Sequence, residues 1–273
     1  MIDSQIPLRL SQGHLNVLER CPRQFQHSYL NQLTSPANPE SQERLTLGSR
    51  FHLLMQQREM GLPIEPLLQQ DTELQRCMVA FAEIAPDIFL APDGQMFRES
   101  EHYRTLQIQD YLLTVVYDLL IADGAKAQIL DWKTYPKPAN KEKLASNWQT
   151  LLYLYVLAET SDYQPEQISM TYWFIQSEGK LQNIKFNYSH AQHIATTKKL
   201  DSLLCQLTNC LQADTTDPFP QVPIGSKICD KCQYISRCGR DFSHEHAITD
   251  RMTSSNSVDS TLLNLATIQE VTL

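Results

Sequence analysis

Asp118 and the tripeptide Asp131-Trp132-Lys133 place two carboxylates and one ammonium within sixteen residues. Oxygen ligands of this kind suit Mg²⁺ or Mn²⁺, which keeps open positions for a phosphate and an attacking water, and a lysine beside it stabilises charge developing on the phosphate. The main-chain carbonyl of Trp132 is a third oxygen of the right type. Between the two aspartates lies Ala122-Asp123-Gly124-Ala125, which reads as a tight turn joining two strands. A two-residue turn centred on Asp123-Gly124 sets Asp118 opposite Ile129, on the face shared by Asp131 and Lys133. The strands are otherwise apolar on both faces (Leu112, Leu113, Val115, Val116, Leu119, Leu120 and Ile121, then Ile129 and Leu130), as in central strands covered by helices. Carboxylates in such a sheet cost several kcal/mol, roughly, unless a cation or a wet cleft satisfies them. An Asp/Lys ion pair at a strand end is the plainer alternative.

Two further groups are spaced to join this site. His52 follows Gly48 by one helical turn, so a small residue sits beside the imidazole and permits close approach. Gln149 and Tyr153, also four apart, are suited to contacting a phosphate or holding the lysine. A separate cluster, Cys229-x2-Cys232-x5-Cys238, supplies three thiols among Lys227, Lys231, Arg237 and Arg240, cations that favour the thiolate. Three such thiols point to a metal, with Cys21, Cys77, Cys205, Cys210, His244 or His246 as the fourth ligand. Zinc held by three cysteines and a histidine, and an iron–sulfur cluster held by four cysteines, both satisfy the spacing.

The elements that must position these groups follow from periodicity and breakers. Ser11 caps a helix carrying Leu15, Leu18, Phe25, Tyr29 and Leu30, broken at Cys21-Pro22. Ser41 opens a second helix, carrying His52, and residues 72–85 form a third. Residues 97–134 read as a strand meander, ended by Pro136 and Pro138. An apolar helix follows over 147–159, then a hairpin of strands at 170–176 and 181–188, then a helix capped by Ser189 and running to Gln212. Pro218, Pro220 and Pro223 lead into the cysteines. The Ser/Thr-rich stretch after Ile248 reads as a flexible tail, giving one α/β domain over 1–247 and a tail over 248–273.

Composition removes several function classes. With 273 residues, 42% of them hydrophobic, the chain has ordinary globular arithmetic and can bury a sizeable core. Its eight glycines are never closer than thirteen residues, which excludes dinucleotide and P-loop fingerprints. Seven cysteines, an odd number, argue against a disulfide framework. The apolar run at 151–158 is far too short for a membrane span, and the first ten residues lack the build of a signal peptide, so the expectation is a soluble cytoplasmic protein. A net charge of −8 requires any nucleic-acid contact to come from a local groove.

Taken in order, Cys21-Pro22-Arg23, Gly48-x3-His52, Asp118, Asp131-x-Lys133, Gln149-x3-Tyr153 and the terminal Cys-x2-Cys-x5-Cys resemble the PD-(D/E)XK nucleases of the RecB/AddB type, whose iron–sulfur branch includes CRISPR-adaptation nucleases. The resemblance spans residues 11–240. It implies a restriction-endonuclease-like mixed sheet flanked by helices, and a [4Fe-4S] cluster on Cys21, Cys229, Cys232 and Cys238 that joins the two ends of the domain. It further implies His52, Asp118, Asp131 and the Trp132 carbonyl as ligands of Mg²⁺ or Mn²⁺, Lys133 as the catalytic lysine, and Gln149 and Tyr153 as an accessory motif. The implied activity is hydrolysis of phosphodiester bonds in DNA, as an exonuclease on single strands or ends in repair or recombination, with a helicase or other repair protein as partner. Lys137, Lys141 and Lys143 are the expected phosphate contacts. Where the family carries a glycine shortly before the first acid, this chain has Val115-Val116-Tyr117-Asp118, and Tyr117 is expected to narrow access. A non-catalytic nuclease-fold binding module and a zinc-stabilised interaction protein are the competing readings.

Overall fold

The computed structural model describes residues 7–33, 39–89, 96–135, 140–175, 182–214 and 218–240, with side chains only from Leu47 onward in the helix that begins at Pro39. The expected tail at 248–273, His244, His246, Lys137 and the two breaker prolines Pro136 and Pro138 lie outside these residues. Two units divide the chain, 1–222 and 223–273. Among the described residues no helix is long and apolar enough to cross a membrane.

The first unit is built on a six-stranded mixed sheet. Strand β1 (Leu8–Leu10) leads into α1 (Gln12–Arg20), whose cap is Ser11, and α1 ends at Cys21 because Pro22 opens a new short helix, α2 (Pro22–Phe25). Helices α3 (Pro39–Glu59), α4 (Glu65–Gln70), α5 (Thr72–Ile84) and α6 (Pro86–Phe89) come next. The meander is β2 (Phe97–Ile108), β3 (Tyr111–Ala122) and β4 (Ala127–Lys133). After α7 (Lys141–Ala145) and the almost wholly apolar α8 (Trp148–Glu159), β5 (Ile168–Phe174) runs parallel to β4, β6 (Gln182–Asn187) returns antiparallel, and α9 (His190–Gln212) closes the unit. The sequence therefore places the long elements correctly, and the structure adds β1, α4, α6 and α7.

Helices cover both faces of the sheet. On one face α1, α8 and α9 bury Leu15, Leu18, Trp148, Leu152, Leu200 and Leu204 against Leu113, Val115, Tyr117 and Ile129. On the other, α3, α5 and α6 bury Phe51, Leu54, Met78, Phe81 and Ile88 against Leu119, Leu130, Trp132 and Trp173. Phe81 is central there, meeting the rings of Trp132 and Trp173 edge-on at 5.3 and 5.4 Å. Deleting a ring of this size from such a layer costs about 3–5 kcal/mol, and α3 is held to the sheet through it.

The hairpin register differs from the sequence expectation by two residues. Ala122 pairs with Ala127 and Leu119 with Leu130, so the loop is Asp123 to Lys126 rather than two residues. Asp123 accounts for the length: its side chain accepts from the amides of Ala125 and Lys126 at 2.8 and 3.0 Å and closes the loop by itself. The shift is even, so parity survives. Asp118 is moved from opposite Ile129 to opposite Asp131, where the ladder opens.

In the second unit, residues 223–240 form successive tight turns. The amides of Cys229, Cys232, Ile235 and Cys238 donate to the carbonyls of Ser226, Cys229, Cys232 and Tyr234, and Arg240 donates to the Pro223 carbonyl at 3.0 Å. None of the seven cysteines is in a disulfide.

Candidate active site

The site forms where the sheet loses its regular alternation. Along β3, Leu113, Val115 and Tyr117 face α8, but Leu119 faces α3 and Leu120 faces α8, so the facing reverses at Asp118. On β2 the regular pairing also skips Glu101, between Ser100 opposite Leu119 and His102 opposite Tyr117. Glu101 has φ of 50°, a left-handed conformation that costs a non-glycine residue about 1–3 kcal/mol and concentrates at functional sites. Two carboxylates thus stand opposite each other at the one irregular step shared by the two strands.

His52, on α3, completes this group. Its Nδ1 lies 3.4 Å from Asp118 Oδ1 and 3.8 Å from Glu101 Oε1, and its Nε2 lies 3.2 Å from the Trp132 carbonyl. One ligand atom from each of His52, Glu101 and Asp118 falls within 4.8 Å of the others, and among the described residues this is the one such group of three. Asp118 Oδ2 accepts the amide of Trp132 at 2.6 Å, so the carboxylate takes the place of a ladder carbonyl where β4 leaves β3.

Asp131 belongs to a second, adjoining arrangement. It is 1% exposed; its Oδ1 pairs with Lys133 Nζ at 2.5 Å and its Oδ2 accepts from Gln149 Nε2 at 2.7 Å. Gln149 is in turn hydrogen-bonded to the Tyr153 hydroxyl, which also meets the backbone at Val116. Helix α8, capped by Asn147, thereby runs a polar chain Tyr153–Gln149–Asp131–Lys133 across its sheet-facing side. Of the two roles expected for Gln149 and Tyr153, contacting a phosphate or holding the lysine, the structure brings Gln149 to the carboxylate that pairs with Lys133.

The electrostatics follow from this packing. Burial by itself depresses the His52 imidazole, but the nearby carboxylates of Glu101, Asp118 and Asp131 outweigh it and raise its pKa to about 9. Burial, reinforced by the negative charge of Asp131, pushes the Asp118 carboxyl up to about 8 against the pull of His52, Lys133 and the Trp132 amide. Burial also works against the Lys133 ammonium, yet Asp131 and Asp118 carry its pKa above the usual lysine value.

This donor set fits a divalent cation. One imidazole nitrogen and two carboxylates converge, and their negative charge, which raises His52 and adds to the burial that raises Asp118, is what a cation would offset. The Trp132 carbonyl faces Nε2 of His52, accepts its N–H and leaves Nδ1 toward the carboxylates. Glu101 escaped sequence reading because β2 is charged along its whole length. Its signal was the two-residue connection Gln109-Asp110, which alone sets Glu101 opposite Asp118. Glu101→Gln is expected to weaken Mn²⁺ binding about tenfold or more; calorimetric titration showing unchanged affinity would remove Glu101 from the site.

Gly48 governs how close α3 comes. A Cβ there would lie 3.1 Å from Thr134 Oγ1, so a larger residue forces the threonine side chain or the helix carrying His52 to give way by a few tenths of an ångström or more. We expect Gly48→Val to lower stability by about 1–3 kcal/mol, and Thr134→Ala to recover part of that loss in the double variant. Independent, additive effects in denaturant melts would mean the contact is not shared.

Tyr117 does not narrow the site. Its ring turns toward α8, donates to the Tyr153 carbonyl at 3.0 Å and stacks on His102. Lys141 lies over the Phe186 ring at 5.3 Å and Lys143 is exposed on α7; neither lines the cleft beside His52. That cleft, of about 920 Å³, is bounded by Gly48, His52, Leu53, Glu101, Lys133 and Tyr135 among others.

Cys21 is buried at the α1–α2 junction, and the next turn is tied down by Arg23, which donates to the carbonyls of Phe219 and Pro220 at 2.8 and 3.2 Å. In the second unit Cys229, Cys232 and Cys238 are half-buried, and the Arg240 guanidinium lies 3.9 Å from Cys229 Sγ.

Comparison with known proteins adds a family and a fold. Residues 9–239 match the description of the PD-(D/E)XK nuclease superfamily. A solved structure from Eubacterium rectale, described as "Putative exonuclease", aligns with a TM-score of 0.55 at 8% identity, covering 84% of this chain and 87% of its own. The solved structure of SSO0001 covers 87% of this chain and 88% of its own at 12% identity, with a TM-score of 0.38. No curated protein matches.

Proposed function

The chain belongs to the PD-(D/E)XK nuclease superfamily, and on that premise we propose that it is a Mg²⁺- or Mn²⁺-dependent deoxyribonuclease of the RecB/AddB type, an exonuclease acting on single-stranded DNA or DNA ends. The observation that carries this reading is the juxtaposition of His52, Glu101 and Asp118 with the Asp131–Lys133 pair at one irregularity of the sheet. A decayed binding module would have no reason to keep a strained Glu101 and a half-buried lysine paired with Asp131 together.

In this reading His52, Glu101 and Asp118 hold the metal, with Asp131 at its edge, and the bound cation supplies a Lewis acid at the scissile phosphate. Lys133 orients the attacking water and donates to the phosphate oxygen on which charge accumulates. Asp131 keeps that ammonium in place, and Gln149, locked by Tyr153, keeps Asp131 in place. Water adds its oxygen to phosphorus, the bridging P–O bond breaks, and the departing oxygen takes up a proton.

We further propose that Cys21, Cys229, Cys232 and Cys238 are the ligands of a [4Fe-4S] cluster. Support comes from the soft four-thiol donor set and from a family match that runs through both cysteine segments. We place the protein in the cytoplasm, where such thiols stay reduced. Its charge of −8 supports a helicase or other repair protein as the partner that delivers the DNA.

The test is cleavage of end-labelled single- and double-stranded DNA by anaerobically purified protein with Mg²⁺, Mn²⁺ or chelator, alongside iron and zinc analysis of the same preparation. Metal-dependent cutting that prefers the single strand, by a brown iron-containing protein, is expected. No cutting by an iron-loaded protein would favour a non-catalytic binding module, and zinc without iron would replace the cluster by a zinc site.

A further inference from the structure

The cleft that His52, Glu101 and Lys133 share extends past the metal-binding group onto an apolar surface. Tyr135 and Leu53, respectively 41% and 46% exposed, stand on its walls, one just beyond the end of β4 and the other one residue after His52. Large apolar side chains with that exposure are unusual beside so charged a site. Tyr135 is also pre-set: its ring meets the fully buried Phe174 edge-on at 5.8 Å, which anchors it while leaving much of its surface open to the cleft.

Charge says what this surface is for. Among the described residues lining the cleft there is one lysine, Lys133, and no arginine, and Lys133 is already paired with Asp131. The described residues of the cleft therefore offer few cations to the phosphates of a strand, and the net charge of −8 adds no attraction at long range. Contact with the bases adds affinity that these residues do not draw from phosphates, and only an unpaired base offers its face. A cleft of about 920 Å³ is in the range of about 300–1,000 Å³ that encloses a small ligand, which suits a short strand end better than a duplex.

We infer that Tyr135 is the base-stacking platform of this site, receiving the unpaired base next to the scissile phosphate with Leu53 closing the opposite side, and that it makes the site selective for single-stranded DNA ends. The inference rests on the nuclease reading for the identity of the strand. Stacking of a base on an aromatic ring is sequence-tolerant, so selectivity falls on strand form and not on sequence.

The experiment separates binding from cutting. A 5′-fluorescein oligonucleotide is titrated with the full chain in chelator, so that nothing is cleaved, and anisotropy is read for wild type, Tyr135→Phe, Tyr135→Leu and Tyr135→Ala. The leucine variant keeps an apolar side chain against Phe174 while removing the aromatic face, so a folded variant without the platform remains. Wild type and the phenylalanine variant should bind alike, and the leucine and alanine variants about tenfold more weakly. An abasic nucleotide walked along the strand end should cost wild type about tenfold at one position and cost Tyr135→Leu nothing there. Equal binding by wild type and Tyr135→Leu, or an abasic penalty that is the same in both, overturns the inference. Tyr135-dependent binding by a protein that fails to cut when Mn²⁺ is restored would overturn the nuclease reading alone, and cutting indifferent to Tyr135 would overturn only this one.

Discussion

Lys133→Met should reduce DNA cleavage by about 10²–10³-fold or more while tightening, not weakening, the hold on Mn²⁺. The two effects part because Lys133 does two things. In the proposed mechanism its ammonium donates to the phosphate oxygen on which charge accumulates, so its loss removes that donor. It is also the partner of Asp131 Oδ1, which has no other hydrogen bond. With the ammonium gone, a carboxylate that is 1% exposed is left uncompensated, a defect of about 3–5 kcal/mol where nothing replaces the partner. A divalent cation can replace it. The variant should therefore melt well below wild type in chelator and recover most of that difference with Mn²⁺. Asp131→Asn should abolish cleavage as well but without the metal-rescued melting, because the uncompensated charge is then absent. Cleavage at the wild-type rate by either variant would point to a contaminating nuclease or to a site elsewhere.

The contrast between these two variants shows which parts of the site were readable in sequence. The pairing of Asp131 with Lys133 follows from their spacing of two on a strand, a rule that tolerates error in the loop before it. The hairpin register was wrong by two, yet the site survived because faces repeat with period two. Glu101 was missed for the opposite reason: β2 carries charge at Arg98, Glu99, Glu101 and Arg104, and no periodicity singles one of them out. Only the turn at Gln109-Asp110 does so, by arithmetic across the strand pair. Gln149 and Tyr153 were located with two roles left open, since helical spacing says that two side chains share a face and not what lies beneath it; the carboxylate that Gln149 meets is Asp131. Short elements such as β1 and α7, of three and five residues, are below the length at which a periodic signal exists; tertiary packing against β3 and α8 supplies what local propensity lacks.

The facing reversal at Asp118 has an energetic consequence that pH exposes. In the metal-free protein the pKa of His52 is raised from 6.5 to about 9 and that of Asp118 from 3.8 to about 8. Both groups hold their protons more tightly in the folded state than in the unfolded chain. The stability they confer is complete below those ordinary values and is lost as pH climbs through about 8 and then about 9. Metal binding has the reverse sign: it needs a neutral imidazole and an ionised carboxylate, so it expels protons and tightens by about tenfold per pH unit for each proton released. The melting temperature of the metal-free protein should therefore fall between pH 6 and 9, and the gap between it and the Mn²⁺-saturated protein should widen over the same interval. Titration calorimetry in buffers of different ionisation enthalpy should count at least one proton released at pH 7. His52→Gln removes one of the two protons that the metal displaces, so the gap should then widen about half as steeply with pH. A gap that stays constant from pH 6 to 9 would mean that the cation does not compete with these two protons, and His52 and Asp118 would have to be withdrawn as ligands. A gap that widens in wild type and widens less steeply in His52→Gln ties the metal to the irregular step of the sheet, where the strain at Glu101 and the displaced ladder bond of Asp118 are both maintained.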